Sequence, residues 1–371
     1  MAVLDLSNRL SGRWLLTFVT IANAWYYLSR RQKRKLTQSS SMAWFGYDQG
    51  VFSGVIISAD FKKHFPETSN ASVSGITTSC FSLGAFFGAL CAFAVGDKLG
   101  RKKTVTLGVC FNAVGAILQI VSWHLPQMIV GRIINGFGMG LTSSTCPVYQ
   151  AECSSPRSRG KLVVMGSLCN TAAFCLAGWM NYGLYFQGNA LQWRFPLGFQ
   201  LIFPAIVATA LLFIPESPRW LLLKDRPEDA IQVIARLEGP NVDVTHPEVK
   251  GQFLAIQAAL QEERKDPVLA MDVLCCRDKT QTLRRLLLSC GTQFMQQFSG
   301  VNALGYYLPT LLQQSVGLDE QASRLLTAVN GTTYLFAACC CLIIIDWFGR
   351  RKSVFPLFFF CLRDLITDLL G

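Results

Sequence analysis

The chain has 371 residues, is 51% hydrophobic and 15% charged, and carries a formal net charge of +11. Soluble domains carry about a quarter charged residues, so this composition, with a mean hydropathy of +0.33, argues against a soluble globular protein and for a polytopic membrane protein. No basic, soluble face is visible, which excludes nucleic acid as a partner and leaves cytoplasmic loops as the source of the positive balance.

Residues 13–24, "RWLLTFVTIANA", read as the start of a first membrane helix, and "MAWFGYDQG" as its continuation. Between them, 25–41 holds five cations in six residues: Arg30, Arg31, Lys33, Arg34 and Lys35. Such a run cannot sit in hydrocarbon. Either 14–28 is a separate amphipathic or spanning segment, or 25–41 is foreign to the helix, as a retained intron or mistaken gene model would be. The second reading is preferred, because two sensible half-helices flank a stretch unlike either.

A bilayer core needs about 20 apolar residues as helix. Eight runs qualify: 42–59, 73–95, 104–123, 129–151, 162–193, 195–215, 286–318 and 325–345. Only two of these carry a charge, Asp48 in the first and Arg132 in the fourth. Loop charge alternates along the chain. "GDKLGRKK" (96–103), "SSPRSRGK" (154–161) and the polar stretch 220–285 are cation-rich, whereas the opposite loops hold Lys62 and Lys63, His124, Arg194 and Arg324. The positive-inside rule places the first set in the cytoplasm. The sequon at Asn70 then lies outside, as a glycosylation acceptor should. Within 220–285, "PEDAIQVIARLEG" and "EVKGQFLAIQAALQEERK" read as surface helices of a cytoplasmic insert.

The segment "GDKLGRKK" recurs as "IDWFGRRK" at 345–352, pairing Asp97 with Asp346 and Arg101 with Arg350. Repeated halves mark transporters. An acid and a fixed cation at adjacent helix ends can form a charge latch that breaks when the halves rock. Glu152 with Arg159, and Glu216 with Arg219, also stand near inner helix ends and read as gate charges.

Several motifs occurring in order resemble the sugar porter family of the major facilitator superfamily, especially its fungal members: "FGYDQGVFSG", "GDKLGRKK", "GRIINGFGMG", "PVYQAE" with "RSRGK", "PESPRW", "QQFSGVNALGYYLP" and "DWFGRRK". The resemblance covers about 43–352. It implies an all-α membrane protein of major facilitator fold, with two six-helix bundles, one central site and alternating access. The expected layout is an N-terminal bundle (1–214), a cytoplasmic helical linker (215–285) and a partial C-terminal bundle (286–371) of helices seven, eight and a stub of nine. After Arg351 and Lys352 the apolar run is short and interrupted by Arg363, Asp364 and Asp368, so the second bundle is expected to be incomplete and to need self-association or a partner to cover it.

A sugar is a ring of hydroxyls, and its site needs amides that both donate and accept. The resemblance assigns that role to Gln296, Gln297 and Asn302, with Tyr306 and Tyr307 as an aromatic wall or gate. The spacing i, i+6 places Gln296 and Asn302 on a shared broad face. Two positions depart from the family. Ser167 stands where a fifth-helix glutamine is usual, with Asn170 one turn on as a substitute. Asn330 lies about one turn before the usual eighth-helix asparagine, a position that Tyr334 takes. The substrate is therefore a hexose-like sugar, with a glycerol or polyol as the alternative.

Asp48 in a membrane helix costs about 2.5–3.5 kcal/mol on insertion scales and should face a cavity or a partner. Arg132 is the natural partner. The resemblance makes a first-helix aspartate the proton carrier of a symporter, with the proton as coupling ion and no cofactor. The bilayer and a small-molecule sugar or polyol are the expected partners, in a multi-pass protein of the plasma membrane. A reading of another class is a non-transporting fragment that senses sugar, regulates a partner or has no function. An enzyme finds no support, for the sequence shows no nucleophile triad, phosphate loop or metal-ligand spacing. The fourteen cysteines include no CxxC pair and read as small apolar fillers.

Overall fold

The computed structural model describes residues 30–154, 159–187, 189–238, 242–265 and 281–348, and no strand occurs among the described residues. The first helix, α1 (Arg30–Val55), begins inside the basic cluster and runs unbroken past Asp48. Residues 30–41 are thus its first three turns, where the sequence suggested an interruption. Arg, Lys, Gln and Leu are good helix formers, and no glycine or proline intervenes before Gly46. Residues 36–55 alone make about 30 Å of helix, which fills a bilayer core and leaves the cations at one end. Residues 25–29 lie outside the described set.

The short α2 (Ala59–His64) and a 3₁₀ turn at Pro66–Ser69 lead to α3 (Ala71–Leu99), whose first turn is capped by the Asn70 side chain accepting from the Ser72 N–H. Then follow α4 (Arg101–Ile120), α5 (Leu125–Glu152) and α6 (Arg159–Tyr185). The sixth run is two helices, α7 (Leu191–Phe199) and α8 (Ile202–Phe213). The seventh is broken too, into α12 (Thr282–Phe298) and α13 (Val301–Gln314), because Gly300 takes φ +75°. The eighth is α14 (Glu320–Phe348).

Every charge-poor run therefore falls mainly on helix, but among the described residues only three helical stretches, 71–99, 101–120 and 191–213, are long and apolar enough to cross a membrane on those grounds alone. The others are diluted by glycine, hydroxyl and amide residues, as in α5, whose small residues let neighbours approach. A Cβ at Gly88 of α3 would collide with the Phe137 carbonyl of α5, and one at Gly140 of α5 with the Ala85 carbonyl of α3. This close approach, with α4 against the other side of α5 and α1 against α6, builds the first half. Its outer end is an aromatic core in which Tyr47, Phe52, Phe61 and Trp193 are almost fully buried.

Between the halves stand α9 (Pro218–Leu223), α10 (Pro227–Glu238) and α11 (Pro247–Lys265), packed on each other through Leu221, Val233 and Leu260. They are the surface helices expected from the sequence. In the second half α12 buries none of its residues and α13 buries only Tyr306 and Pro309, while α14 leans along α6.

Candidate functional site

Asp48 and Arg132 meet inside the first half. Both side chains have zero exposure, and Arg132 Nη2 lies 3.8 Å from Asp48 Oδ2. The guanidinium is stacked 3.5 Å over the Phe52 ring centroid, a cation–π contact that stabilises it away from water. The pair is long and under-bonded: Asp48 Oδ2 and Arg132 Nε and Nη1 have no hydrogen-bond partner. Asn135, one turn after Arg132, donates Nδ2 to Asp48 Oδ1 at 3.4 Å and to Gln200 Oε1 at 3.4 Å. A buried carboxylate that lacks close, saturating hydrogen bonds keeps room to change its protonation state. Asn135 and Gln200 are buried polar residues in membrane helices, and that signal was present in the sequence. What the sequence lacked was any indication that Asn135 joins Arg132 against Asp48 or that the α7–α8 junction faces them.

The amides come together differently from the helical spacing. The break at Ser299 and Gly300 cancels the i, i+6 relation, so Gln296 is exposed and its side chain makes no bond within the cluster. Gln297 and Asn302 do meet, with Asn302 Nδ2 donating to Gln297 Oε1. Asn302 also accepts from Gln49 Nε2 of α1 at 2.9 Å, which ties the two halves together. Tyr306 is 8% exposed, and the Tyr307 hydroxyl donates to the Gly75 carbonyl at 3.5 Å. The helix α13 thus reaches α1 through the amide cluster and α3 through Tyr307.

The other candidates scatter. Asn170 donates Nδ2 to the Met42 carbonyl, which makes it a tie between α6 and α1 instead of a stand-in for the missing glutamine. Ser167 is exposed on α6, its carbonyl accepting from the Thr171 hydroxyl. Asn330 and Tyr334 are exposed on α14, with the Tyr334 ring 6.4 Å from that of Phe174. Arg324, assigned to an outer loop from sequence, is instead in α14. It is 3% exposed, bonded to Glu320 and to the Asn181 carbonyl of α6. Asn70 is exposed at the start of α3, where its side chain accepts from the Ser72 N–H as the helix cap.

At the end of the helices away from the aromatic core, Arg101 joins three segments. Its Nη1 bonds Asp97 Oδ1 at 2.6 Å, and its Nε and Nη2 bond the two oxygens of Glu152 at 3.2 and 3.0 Å. Ser217 donates to Glu152 Oε2 at 2.6 Å, and Glu216 accepts from the Lys102 N–H. Glu216 thus caps the start of α4, where anions interact favourably with the helix dipole. Arg219 is not part of this cluster, for its guanidinium pairs with Glu263 of α11. The side chains of Arg159 and Asp346, and Arg350 altogether, lie outside the described residues.

Comparison with known proteins agrees with this arrangement. A family model described as "Sugar (and other) transporter" matches residues 35–363. The MFS-type transporter oryC of Aspergillus oryzae is 42% identical over 349 residues, covering 92% of this chain and 61% of the relative. Sugar transporter STL1 of Saccharomyces cerevisiae is 32% identical over 355 residues, covering 92% and 59%. The chain therefore spans about three fifths of the length of these relatives. Among solved structures, the xylose transporter XylE from E. coli in a partially occluded inward-open conformation superposes with a TM-score of 0.71 at 21% identity, covering 87% of this chain and 74% of that one. The proton:xylose symporter XylE bound to 6-bromo-6-deoxy-D-glucose gives 0.72 at 22% identity, covering 86% and 70%.

Proposed function

The chain belongs to the sugar (and other) transporter family and has the major facilitator fold of a multi-pass membrane protein, and on that footing we propose that it carries a hexose-like sugar across the plasma membrane by proton-coupled alternating access. The observation that carries the coupling is the fully buried Asp48–Arg132 pair, one residue along α1 from Gln49, which bonds the Asn302 amide cluster. Asp48 loads the proton. Ionised, it is held by Arg132 and Asn135. Protonated, it no longer balances Arg132, and the attraction that ties α1 to α5 weakens. Gln297 and Asn302 supply the amides that match sugar hydroxyls, and the Asp97–Arg101–Glu152–Glu216 cluster holds the cytoplasmic helix ends together until the halves rock.

The yeast sugar transporter STL1, at 32% identity, supports this reading, and the proton:xylose symporter XylE shares the fold. A glycerol or polyol is the second substrate class, because Ser167 stands where the family's fifth-helix glutamine is usual and lies exposed on α6. The test is uptake of D-glucose, D-xylose and glycerol into proteoliposomes with an imposed inward proton gradient. Uphill accumulation of one of them, abolished by a protonophore, is the expected result. Equal uptake with and without the gradient would remove proton coupling, and no uptake of any would remove transport.

A further inference from the structure

Gln49 is one residue past Asp48, which puts the two side chains about 100° apart on α1. Asp48 turns to α5, where Arg132 and Asn135 are. Gln49 turns to α13, where its Nε2 donates to Asn302 Oδ1 at 2.9 Å. Asn302 in turn donates to Gln297 Oε1. The three amides therefore form one directional chain, each donating to the next, from the first half into the second. Both Gln49 and Asn302 are half-buried, so neither is sealed from a ligand that enters between the halves.

The place where Gln49 rests is shaped for it. Gly305 is one turn after Asn302, and a Cβ there would stand 2.8 Å from Gln49 Nε2, so a larger residue would push the amide off α13. A sugar hydroxyl takes up the same junction once the two amides part by about the width of one oxygen, as the halves separate to admit it. It accepts from Gln49 Nε2 and donates to Asn302 Oδ1, replacing N–H···O by N–H···O–H···O with every polarity preserved.

We infer that Gln49 is a substrate-binding and specificity-determining residue contributed by the first half: with Asn302 it holds one hydroxyl of the sugar, and without sugar the two amides hold each other across the central interface. This rests on the transport reading and adds a contact that the sequence motifs do not assign. It also places the substrate one residue from the coupling carboxyl, so that sugar binding and Asp48 act on the same turn of α1.

The experiment is a deoxy-sugar cycle in proteoliposomes. Apparent KM is measured for whichever of D-glucose, D-xylose or D-galactose the unaltered chain takes up, and for each monodeoxy derivative of it, with Gln49→Leu and Gly305→Ala beside it. A site built to bond a hydroxyl discriminates strongly against the analogue that lacks it. The expected result is that Gln49→Leu raises KM about tenfold for the parent sugar and adds nothing further for one monodeoxy analogue, the one missing the bridged hydroxyl. Gly305→Ala, which keeps both amides but crowds their junction, should give the same pattern more weakly, and it keeps the test open if Gln49→Leu does not fold. If both variants show the unaltered chain's losses for every analogue, Gln49 does not touch the substrate and the inference is overturned alone. If the unaltered chain takes up no sugar, this inference falls together with the transport reading.

Discussion

The first six membrane runs and the two that follow them use polar chemistry in opposite ways. In α1 and α5 the functional groups are charges with zero exposure, set among rings such as Phe52 and Phe81 and held by helices that touch backbone to backbone. In α12 and α13 they are neutral amides, and Gln296 and Gln297 stand on a helix that buries no residue. The contrast follows from what each task needs. A carboxyl that reports on a proton gains leverage from a low-dielectric setting, where one charge more or less changes the local balance by several kcal/mol. Amides that recognise hydroxyls must be reachable and must exchange their partners at little cost. Packing density thus separates the residues proposed to couple energy from those proposed to recognise substrate, and the contacts of α13 with α1 are where they meet.

The sharpest way to break this comparison is to remove one charge of the buried pair. Arg132→Leu leaves Asp48 buried without its counter-ion, a change that costs about 3–5 kcal/mol when the remaining charge cannot reach water. The variant should lose most of its folded yield and melt well below the unaltered chain in detergent, by intrinsic fluorescence. Combining it with Asp48→Leu should recover much of that loss, because two apolar residues replace the pair. An Arg132→Leu protein that melts normally would show that the pair is solvated and that the first half is not the low-dielectric region described above.

A milder change separates coupling from recognition. Asp48→Asn keeps the shape and removes the ionisable group, so gradient-driven accumulation should vanish while sugar exchange at equal concentrations on both sides persists. In the unaltered protein, accumulation should rise as the outer pH falls, since lower outer pH loads more of the carboxyl before it moves inward. Retained uphill uptake by Asp48→Asn would place the coupling proton elsewhere. On the other side of the comparison, Asn302→Ala should raise apparent KM about tenfold, equivalent to about 1.4 kcal/mol, and leave the pH dependence unchanged. A change in pH dependence with no change in KM would mean that the amide cluster and the ion pair have exchanged roles.

Much of this was legible in sequence for a simple reason. Charge gaps of about twenty residues mark spans whatever their neighbours are, so the helical runs, the linker helices and the Asp48–Arg132 pairing followed from composition along the chain. Facing relations did not. Nothing in "NALGYYLP" says that Asn302 bonds Gln49 or that Tyr307 reaches the Gly75 carbonyl. Asn170 was read as a ligand because of its position in the fifth run, yet its amide is taken by the Met42 carbonyl. The helical spacing of Gln296 and Asn302 failed because a single positive-φ glycine lies between them. The basic run 30–35 was read as an interruption because side-chain charge was weighed above backbone propensity, and a helix can carry cations at its end at little cost.

The smallest expected effect tests where the cytoplasmic latch ends. Arg219 reads from sequence as a gate charge beside Glu216, but Glu216 caps α4 through the Lys102 N–H, and Arg219 instead reaches across to Glu263 on α11. That ion pair is 39% and 57% exposed on its two sides. A solvent-exposed pair of long side chains contributes about 0–1 kcal/mol and is weakened further by salt. Arg219→Ala should therefore leave the melting temperature and the uptake rate within about 10–20% of the unaltered protein, since it touches only the linker. Arg101→Ala is the contrasting change: it strips Asp97 and Glu152 of a common, largely buried donor that bonds three segments of the first half. It should shift the resting population toward an open cytoplasmic side, read as faster labelling of a cysteine placed at Ser144 by a membrane-impermeant reagent added from the cytoplasmic face. If Arg219→Ala accelerates that labelling as much as Arg101→Ala does, the linker is part of the gate, and the Arg219–Glu263 contact breaks and forms with each cycle of transport.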